Sequence, residues 1–414
     1  MAGPGRTVLR RAAGRRALPR TRRPLLRLTP HFCLRSQGSP MPVQKVLVVG
    51  GGITGSVLCL ALAQRGAEVE LVEISPQWFG VGHGITIQGN ALKALRSVGV
   101  LDRVLARAVP FDIMRLRGAD GGLITELNTP HTGGPELPST AGALRSDLQD
   151  ALCDAVHAHG VRVRLGLSVE RLDRSPGQVD VAFTDGSTGR YDLVVGADGI
   201  NSAMRELIGI DAKPRPVGMS IFRVVADRPA EMDCAEVYYG GPRFKAGYSP
   251  ISPDQCYAYL LDENLDTTLI GPRAPLALLR ERGAGYGGTW GKILASLPDD
   301  TAVDYRWIEA ILVDEPWHRG RAMVIGDAAH ACPPLIAQGA AMCMEDAVLL
   351  AELVTADEPT EKALDHFMAR RLPRVRMVLE NSLQLADWEI HPGTPGADPA
   401  RIMSETLDNL TAAA

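Results

Sequence analysis

A glycine-rich turn near residue 50 carries the clearest chemical signal in this sequence. Gly50, Gly52 and Gly55 have G-x-G-x-x-G spacing at the end of the apolar run KVLVVG (45–50) and at the start of a helical pattern. Glycine at these positions permits a tight turn, close approach of a pyrophosphate to the helix N-terminus, and close packing of helix on sheet. Glu73 ends the next apolar run, about twenty residues further on, where a carboxylate can accept hydrogen bonds from an adenosine ribose. The pattern predicts bound NAD or FAD and disfavours a 2'-phosphate.

A second stretch, MVIGDAAHACPPLIAQGAAM (323–342), joins an apolar strand to a helix of small residues. Asp327 falls at the carboxyl end of that strand, where open α/β sheets bind ligands, and its carboxylate can accept from a polyol hydroxyl. Pro333 and Pro334 lack N–H groups and keep the turn rigid, which leaves carbonyls aimed at their surroundings. The helix then begins with Gly339, Ala340 and Ala341. Their free amides could face a ring carbonyl that gains negative charge, as in a reduced isoalloxazine, although an ordinary βα turn fits this stretch alone equally well.

The elements that must position these groups alternate between strands and helices. The runs on either side of the first glycine motif form a βαβ unit with parallel strands. The run NALKALRSVGVLDRVLA predicts a helix and a half, and residues 146–160 predict a helix opened by a capping box from Ser146 to Gln149. From Val161 the period shifts to two. The segments VRVRL, VDVAF and YDLVVG, with a turn at Asp185-Gly186, are predicted as short antiparallel strands.

The pattern changes between about residues 212 and 317, where strands with aromatic residues are separated by turn residues. This predicts a separate, mostly antiparallel sheet. Some aromatic side chains should face a pocket, although aromatic residues in strands more often form core. The candidates are Tyr238, Tyr239, Phe244, Tyr248, Tyr257 and Tyr259. After Arg319 a strand and helices at about 338–355 and 361–389 resume the first pattern, and a tail with a loose helix follows. The predicted fold class is α/β, a discontinuous Rossmann-like domain with an inserted, mostly antiparallel β-sheet domain and C-terminal helices.

The composition is that of an ordinary soluble chain of 414 residues, 45% of them apolar. No apolar run approaches the roughly 18 residues of a membrane-spanning helix. Ten arginines and no acidic residue lie in residues 1–40, and without them the net charge falls from −4 to −14, which disfavours nucleic acid as a partner. The seven cysteines are scattered without a Cys-x-x-Cys pair. We therefore expect no disulfide framework, no metal site and a reducing, cytoplasmic location.

Two explanations fit the Arg-rich segment 1–40. Its composition is that of an organelle transit peptide, or it is translated upstream sequence from a GC-rich gene. We favour the second because Met41 precedes the first predicted strand by only a few residues. Either explanation predicts disorder.

Longer segments give a resemblance to a known family. VGHGITIQGNALKAL, RSDLQDAL, DLVVGADGINSAMR and GRAMVIGDAAHACPPLIAQGAAMCMEDAVLLAELV together resemble the flavin-dependent aromatic hydroxylases of the p-hydroxybenzoate hydroxylase type, from about Val46 to Trp388. Ile336 and Ala341 depart from the p-hydroxybenzoate enzyme, and the form LIAQGAAMCMEDA looks closer to salicylate- and hydroxynicotinate-hydroxylating members. The resemblance implies FAD, which NADH or NADPH reduces without a domain of its own. It also implies O2 as co-substrate, with oxygen passing from a flavin hydroperoxide to an electron-rich aromatic molecule.

The resemblance also implies a division of the chain. Residues 1–40 would be a leader, 41–110, 140–211 and 318–390 the FAD-binding domain, 111–139 and 212–317 the substrate-binding sheet domain, and 391–414 a tail. It leaves the oligomeric state open, with a homodimer as one option.

The resemblance assigns further residues to the cofactor. The Asp198-Gly199 pair would lie near the pyrophosphate, and the Gly326-Asp327 pair would lie at the ribityl chain. Arg145, which precedes the capped helix, would face the cofactor unless it is a surface cation. These cofactor-binding residues are Gly84, Arg145, Val169, Asp198, Gly199, Gly326 and Asp327.

Three residues are candidates for the reaction itself. Pro334 matches the family proline whose carbonyl lies near the reacting carbon, and Arg223, after Phe222, matches an aromatic-Arg pair that would orient an anionic substrate or border the flavin. His83 stands where most relatives have a small residue. Its imidazole could hydrogen-bond the flavin or substrate, take a phenol proton, anchor the flavin covalently, or simply fill a gap. His330 is expected to be a structural histidine with a satisfied hydrogen bond.

Two other functions compete with aromatic hydroxylation on the same fold. A flavin-dependent dehydrogenase or double-bond reductase would need no oxygen, and a non-catalytic binding protein would need no working flavin. The substrate itself is not specified by the sequence.

Overall fold

The computed structural model of the protein describes residues 43–78, 82–266 and 274–412. The Arg-rich segment 1–40, with the transit-peptide and disorder predictions made for it, lies outside these residues. Strands and helices are numbered below in chain order.

The strands in the described residues are β1 (Lys45–Val49), β2 (Glu68–Glu73), β3 (Gly84–Gln88), β4 (Val109–Phe111), β5 (Ile113–Gly118), β6 (Leu123–Asn128), β7 (Thr140–Leu144), β8 (Arg162–Leu165), β9 (Val169–Ser175), β10 (Gln178–Phe183), β11 (Thr188–Tyr191), β12 (Leu193–Gly196), β13 (Arg215–Asp227), β14 (Ala235–Tyr239), β15 (Lys245–Pro250), β16 (Gln255–Glu263), β17 (Asp304–Leu312), β18 (His318–Arg319), β19 (Ala322–Val324) and β20 (His330–Ala331). The helices are α1 (Ile53–Ala63), α2 (Gly89–Ser97), α3 (Leu101–Leu105), α4 (Arg145–Ala158), α5 (Ala203–Leu207), α6 (Ala274–Gly283), α7 (Gly288–Ser296), α8 (Gly339–Val354), α9 (Thr360–Ile390) and α10 (Pro399–Leu410).

A six-stranded sheet in the order β18-β19-β12-β1-β2-β8 forms the centre of the nucleotide-binding region. All neighbouring pairs are parallel except β18 with β19. Helix α1 packs against α4 and α8, and every side chain from Val46 to Val49 is buried. Continuous apolar runs are the expected pattern for parallel strands covered on both faces. The predicted βαβ unit is confirmed.

Two of the predicted antiparallel strands are parallel members of this sheet. The segment VRVRL supplies β8, which pairs with β2, and YDLVVG supplies β12, which pairs with β1. Only the VDVAF segment, as β10, pairs antiparallel with β9 and β11. The run Leu193–Gly196 is buried at every residue, so the continuous apolar run, rather than the alternation of its neighbours, was the informative pattern.

The predicted capping box is also wrong. Helix α4 begins one residue earlier, at Arg145, and its N-cap residue Leu144 has no side-chain cap hydrogen bond. Gln149 donates to the carbonyl oxygen of Gly51 instead, at 2.8 Å. The Gln149 side chain therefore joins α4 to the glycine turn rather than capping its own helix.

An eight-stranded sheet in the order β20-β17-β13-β16-β15-β14-β5-β6 forms the second layer, as the sequence predicts for a mostly antiparallel inserted sheet. Its outer face, which includes Phe222, Tyr238 and Tyr248, packs on residues of α6 and α7. Its opposite face, called the inner face below, carries the cross-strand set Arg223, Tyr239, Lys245, Tyr257 and Tyr259. Part of the inner face packs on Leu385 and Ala386 of α9.

The C-terminal tail forms a well-packed helix rather than a loose one. Thr406 and Leu410 of α10 are fully buried, and α10 packs on α9. Across the described ranges, every helix is either too short or too polar to cross a bilayer.

Candidate active site

The glycine motif forms a turn in which two of the three glycines have no room for a side chain. Gly50 has φ +105°, and a Cβ there would lie 2.5 Å from the carbonyl oxygen of Ala197. A Cβ on Gly55 would lie 1.9 Å from the carbonyl oxygen of Gly50. A Cβ on Gly52, the N-cap of α1, would meet no heavy atom within 4 Å. Packing within the protein explains Gly50 and Gly55, whereas the space beside Gly52 suits a ligand.

Glu73 is fixed beside this turn at the end of β2. Its Oε2 accepts from the backbone N–H of Gly51 at 2.7 Å, and its Oε1 accepts from that of Ser75 at 2.8 Å. Trp78, which sequence reasoning missed because no motif includes it, donates from Nε1 to the Gly51 carbonyl at 2.6 Å. Each carboxylate oxygen keeps a lone pair for a ribose hydroxyl.

The Asp198-Gly199 pair follows β12. Asp198 accepts from the Ser202 hydroxyl at 2.5 Å and from the Met204 N–H at 2.9 Å, so its carboxylate holds the start of α5. Burial raises the pKa of Asp198 above its usual value. Gly199 has φ +79°, and a Cβ there would meet no heavy atom within 4 Å. The carboxylate therefore shapes the loop, and the space for a ligand lies beside Gly199.

The Gly326-Asp327 pair follows β19 at the carboxyl edge of the same sheet. Gly326 has φ +62°, and a Cβ there would lie 2.8 Å from Oγ1 of Thr54 on α1. Its N–H donates to Asp346 Oδ2 at 3.0 Å. Asp327 is exposed and accepts only a weak bond, from the Cys343 thiol at 3.4 Å. Its carboxylate is therefore available to a hydroxyl donor.

Helix α8 begins with free amides, as predicted. Its N-cap residue is Gln338, and no side chain bonds to the first helical N–H groups. Ala337, immediately before, has φ +53°, the one positive φ of a non-glycine residue in the described ranges. That conformation costs about 1 kcal/mol and turns the chain sharply into the helix. The N–H groups of residues 339–341 consequently have no partner in the helix.

Arg145 is a half-buried cation at the start of α4. Burial lowers its pKa, and the Asp327 carboxylate opposes this. Its guanidinium makes no hydrogen bond or ion pair with any residue that the structure describes. A half-buried guanidinium without a protein partner favours an anionic ligand at this position, because the charge strengthens each hydrogen bond that it donates.

His83 connects the nucleotide-binding region with the inner face. Its Nδ1 lies 3.0 Å from the carbonyl oxygen of Gly84, and its Nε2 lies 3.3 Å from Nη1 of Arg223. Since a carbonyl only accepts, the proton is on Nδ1, and Nε2 accepts from Arg223. Burial lowers the His83 pKa, so the imidazole is neutral at pH 7. Asp304, which sequence reasoning missed, binds the same Nη1 at 3.2 Å.

Aromatic rings continue from His83 along the inner face. The ring centroids of His83 and Tyr257 are 6.4 Å apart, and those of Tyr257 and Tyr259 are 5.7 Å apart. Gly84 and Gly247 make room for these rings, since a Cβ would lie 2.2 Å from Tyr257 and 2.4 Å from the Tyr259 hydroxyl. The described residues offer no hydrogen bond to either hydroxyl. Tyr238 and Tyr248 are not part of this row, because their hydroxyls donate to Glu236 on the outer face.

The remaining predicted residues lie in three different settings. Pro334 is exposed at the start of a 3-10 turn, and its carbonyl accepts from Ala337 N–H at 3.2 Å. Val169 is buried in β9, in the small antiparallel sheet. His330 is buried with Nε2 2.6 Å from Asp346, which also binds Arg371 at 2.7 Å, so it is a structural histidine as expected.

An open position at Gly52, an unpartnered Arg145 and a row of free amides at α8 fit the pyrophosphate and pyrimidine ends of one long cofactor. The fold and the site thus define an FAD-binding protein. Comparison with known sequences agrees, because residues 44–250 and 298–382 match the family described as "FAD binding domain". The chain belongs to this family.

The curated relatives include aromatic monooxygenases. The chain is 31% identical over 355 residues to 2-heptyl-3-hydroxy-4(1H)-quinolone synthase of Pseudomonas aeruginosa, which covers 83% of the chain and 90% of the relative. It is 28% identical to 3-amino-4-hydroxybenzoate 2-monooxygenase of Streptomyces cremeus, over 88% of the chain and 92% of the relative. The resemblance to flavin-dependent aromatic hydroxylases is confirmed, and the protein is an FAD-dependent oxidoreductase of this group.

A solved structure supports the fold. The crystal structure of Klebsiella pneumoniae HpxO, complexed with FAD and uric acid, matches with a TM-score of 0.77 and 24% sequence identity, over 89% of this chain and 96% of that one. The predicted combination of an FAD-binding domain with an antiparallel sheet is thereby confirmed.

Proposed function

We propose that this enzyme uses NADH or NADPH and O2 to hydroxylate a small, electron-rich aromatic molecule bound on the inner face. The row formed by His83, Tyr257 and Tyr259 carries this proposal. Its rings offer apolar area and its two tyrosine hydroxyls offer unused hydrogen bonds to a flat substrate. The quinolone and aminohydroxybenzoate named for the relatives support a hydroxylated or nitrogen-containing ring.

We assign the cofactor contacts as follows. The turn at Gly52 and the Arg145 cation would hold the pyrophosphate, and Glu73 would accept from the adenosine ribose. Asp327 would accept from the ribityl chain, and the amides of residues 339–341 would face the pyrimidine edge. Bound FAD would supply the redox chemistry between the nicotinamide donor and O2. Gly199 remains a proposed contact near the pyrophosphate, and Val169 remains a proposed cofactor contact.

Proton transfer is assigned to His83 and Arg223. A phenol that displaces the hydrogen bond between Arg223 and Nε2 of His83 could give its proton to Nε2 while Arg223 stabilises the phenolate. Phenolate formation raises electron density at the ring carbon that is hydroxylated. Asp304 holds Arg223 in place and compensates its charge. The engagement of both imidazole nitrogens argues against covalent attachment of the flavin to His83.

The domain limits drawn from the sequence remain a proposal, consistent with β5, β6 and β13–β17 sharing one sheet. A homodimer is likewise proposed, and light scattering of the purified protein tests it.

The function is tested with the FAD-loaded protein, NADH or NADPH, O2 and a panel of phenols, hydroxypyridines and polycyclic aromatics. We expect at least one compound to stimulate both NAD(P)H and O2 consumption and to gain one oxygen atom. A dehydrogenase or double-bond reductase would oxidise NAD(P)H without O2 uptake. A non-catalytic binding protein would not retain the yellow cofactor.

A further inference from the structure

The inner face ends at a buried ion pair that the reaction described above does not use. Lys245 on β15 donates from Nζ to Glu389 Oε1 on α9 at 2.6 Å. The Lys245 side chain is 8% exposed and that of Glu389 is 16% exposed. Lys245 pairs with Leu261 in the strand register, on the same face as Tyr259, and its Nζ lies 5.8 Å from the centroid of the Tyr239 ring. The pair therefore borders the region where we propose that the substrate binds.

One oxygen of this pair has no partner. Glu389 Oε2 is buried and unpaired, and it is the one carboxylate oxygen with that property in the described ranges. Such an atom normally has a donor, because leaving a buried acceptor unmet costs about 1–3 kcal/mol, more when it is charged. Lys245 is already bonded to Oε1. The missing partner is thus a donor that the described residues do not provide.

The surroundings of Oε2 favour a neutral, largely apolar partner. Leu385 and Ala386 lie on the same helical stripe as Glu389, three and four residues earlier, and both pack on the inner-face residues Ile221 and Leu261. Lys245 balances the carboxylate charge, so the pair has no net charge to attract an ion. An anionic substrate would meet the unpaired oxygen with repulsion.

Position in the chain separates Glu389, but not Lys245, from the region shared with the family, since Lys245 lies within the matched residues 44–250. The match to the FAD-binding family ends at residue 382, before Glu389. Helix α9 continues to Ile390 and brings the carboxylate back to β15. Residues outside the shared region are suited to determine which substrate a member accepts.

We propose that Glu389, held by Lys245, is a specificity-determining residue that accepts a hydrogen bond from an N–H or O–H donor on a neutral aromatic substrate. This inference rests on the proposed function, since it concerns the same substrate. It names the substrate class as neutral aromatic rings with a donor at the end directed toward α9. A nitrogen heterocycle such as 4(1H)-quinolone meets this description with its ring N–H.

The test compares 4(1H)-quinolone with its N-methyl derivative, using the FAD-loaded full-length protein. Dissociation constants come from the change in flavin absorbance during titration. We expect N-methylation to weaken binding by about tenfold or more in the wild type, because a charge-assisted hydrogen bond is lost. In the Lys245→Met, Glu389→Leu double variant the two compounds should bind within about twofold of each other. The control is the exposed pair Lys292–Glu231 of the same domain, and Lys292→Met, Glu231→Leu should preserve the wild-type ratio.

Three results overturn the proposal. They are equal binding of both compounds to the wild type, an unchanged ratio in the double variant, and no binding of 4(1H)-quinolone at millimolar concentration. If the double variant does not fold, Glu389→Gln replaces it, and a ratio unchanged from the wild type again overturns the proposal. Loss of FAD or of NAD(P)H oxidation in the wild type would instead count against the proposed function, so the two failures are distinguishable.

Discussion

Two substitutions in the glycine motif test whether this turn binds a cofactor or only packs within the protein. In Gly52→Ala the new methyl group meets no heavy atom of the protein within 4 Å. The free energy of unfolding of the FAD-free protein should therefore fall by less than about 1 kcal/mol, the difference between glycine and alanine at an N-cap. In Gly55→Ala the methyl group would lie 1.9 Å from the Gly50 carbonyl oxygen, so the backbone must move. We expect that variant to lose about 3 kcal/mol or more without any cofactor.

FAD binding, in contrast to stability, should be weakened strongly by Gly52→Ala. The methyl group would occupy the place of the pyrophosphate and remove about two amide-phosphate hydrogen bonds, each of about 1.5–3 kcal/mol. A loss of about 3 kcal/mol weakens binding by more than a hundredfold. Urea unfolding of the FAD-free proteins gives the stability, and quenching of FAD fluorescence gives the dissociation constant. A folded Gly52→Ala protein that binds FAD as tightly as the wild type would refute the proposal that this turn binds the pyrophosphate.

Three further outcomes are expected. Burial lowers the pKa of His83, so its contribution to stability is present above the usual histidine pKa of about 6.5 and is lost as the pH falls below it. Between pH 7.5 and 5.5, the free energy of unfolding measured in urea should therefore fall more for the wild type than for His83→Asn. Equal decreases would contradict a neutral His83. Acid precipitation should release all FAD into the supernatant, because both nitrogens of His83 are engaged, whereas a yellow pellet would indicate a covalent bond. Tyr259→Phe should weaken substrate binding without lowering stability, while the matched outer-face change Tyr248→Phe should cost about 1 kcal/mol of stability and leave substrate binding unchanged. Substrate titration and thermal unfolding of both variants check this. The reverse pattern would indicate that the substrate binds on the outer face.

The parts of the fold that follow from local pattern were predictable from the sequence. The run KVLVVG, the glycine spacing and the terminal Glu73 define a βαβ unit within about thirty residues. Asp327 and residues 339–341 were recognisable because a strand end and a helix start are local features. The same holds for the inserted sheet as a whole, whose turn residues and aromatic strands are visible in sequence.

Contacts between distant segments were not predictable in this way. Strand pairing of β8 and β12 depends on which strand lies beside them, and their short length gave an ambiguous period. The inner-face pair Lys245–Glu389 joins residues 144 positions apart, and Arg223–Asp304 joins residues 81 apart. The alternation of tyrosines predicted two faces but not which face was inner. That assignment required Gly84 and Gly247, whose missing side chains leave room for Tyr257 and Tyr259.

We propose that this FAD-dependent enzyme transfers oxygen from O2 to an aromatic ring. Turnover of the compound panel under 18O2, with mass spectrometry of the products, tests it most directly. We expect a product that carries one 18O atom and forms in proportion to the NAD(P)H consumed. Substrate-stimulated NAD(P)H oxidation that yields only hydrogen peroxide or water, with no label in any organic product, would contradict it.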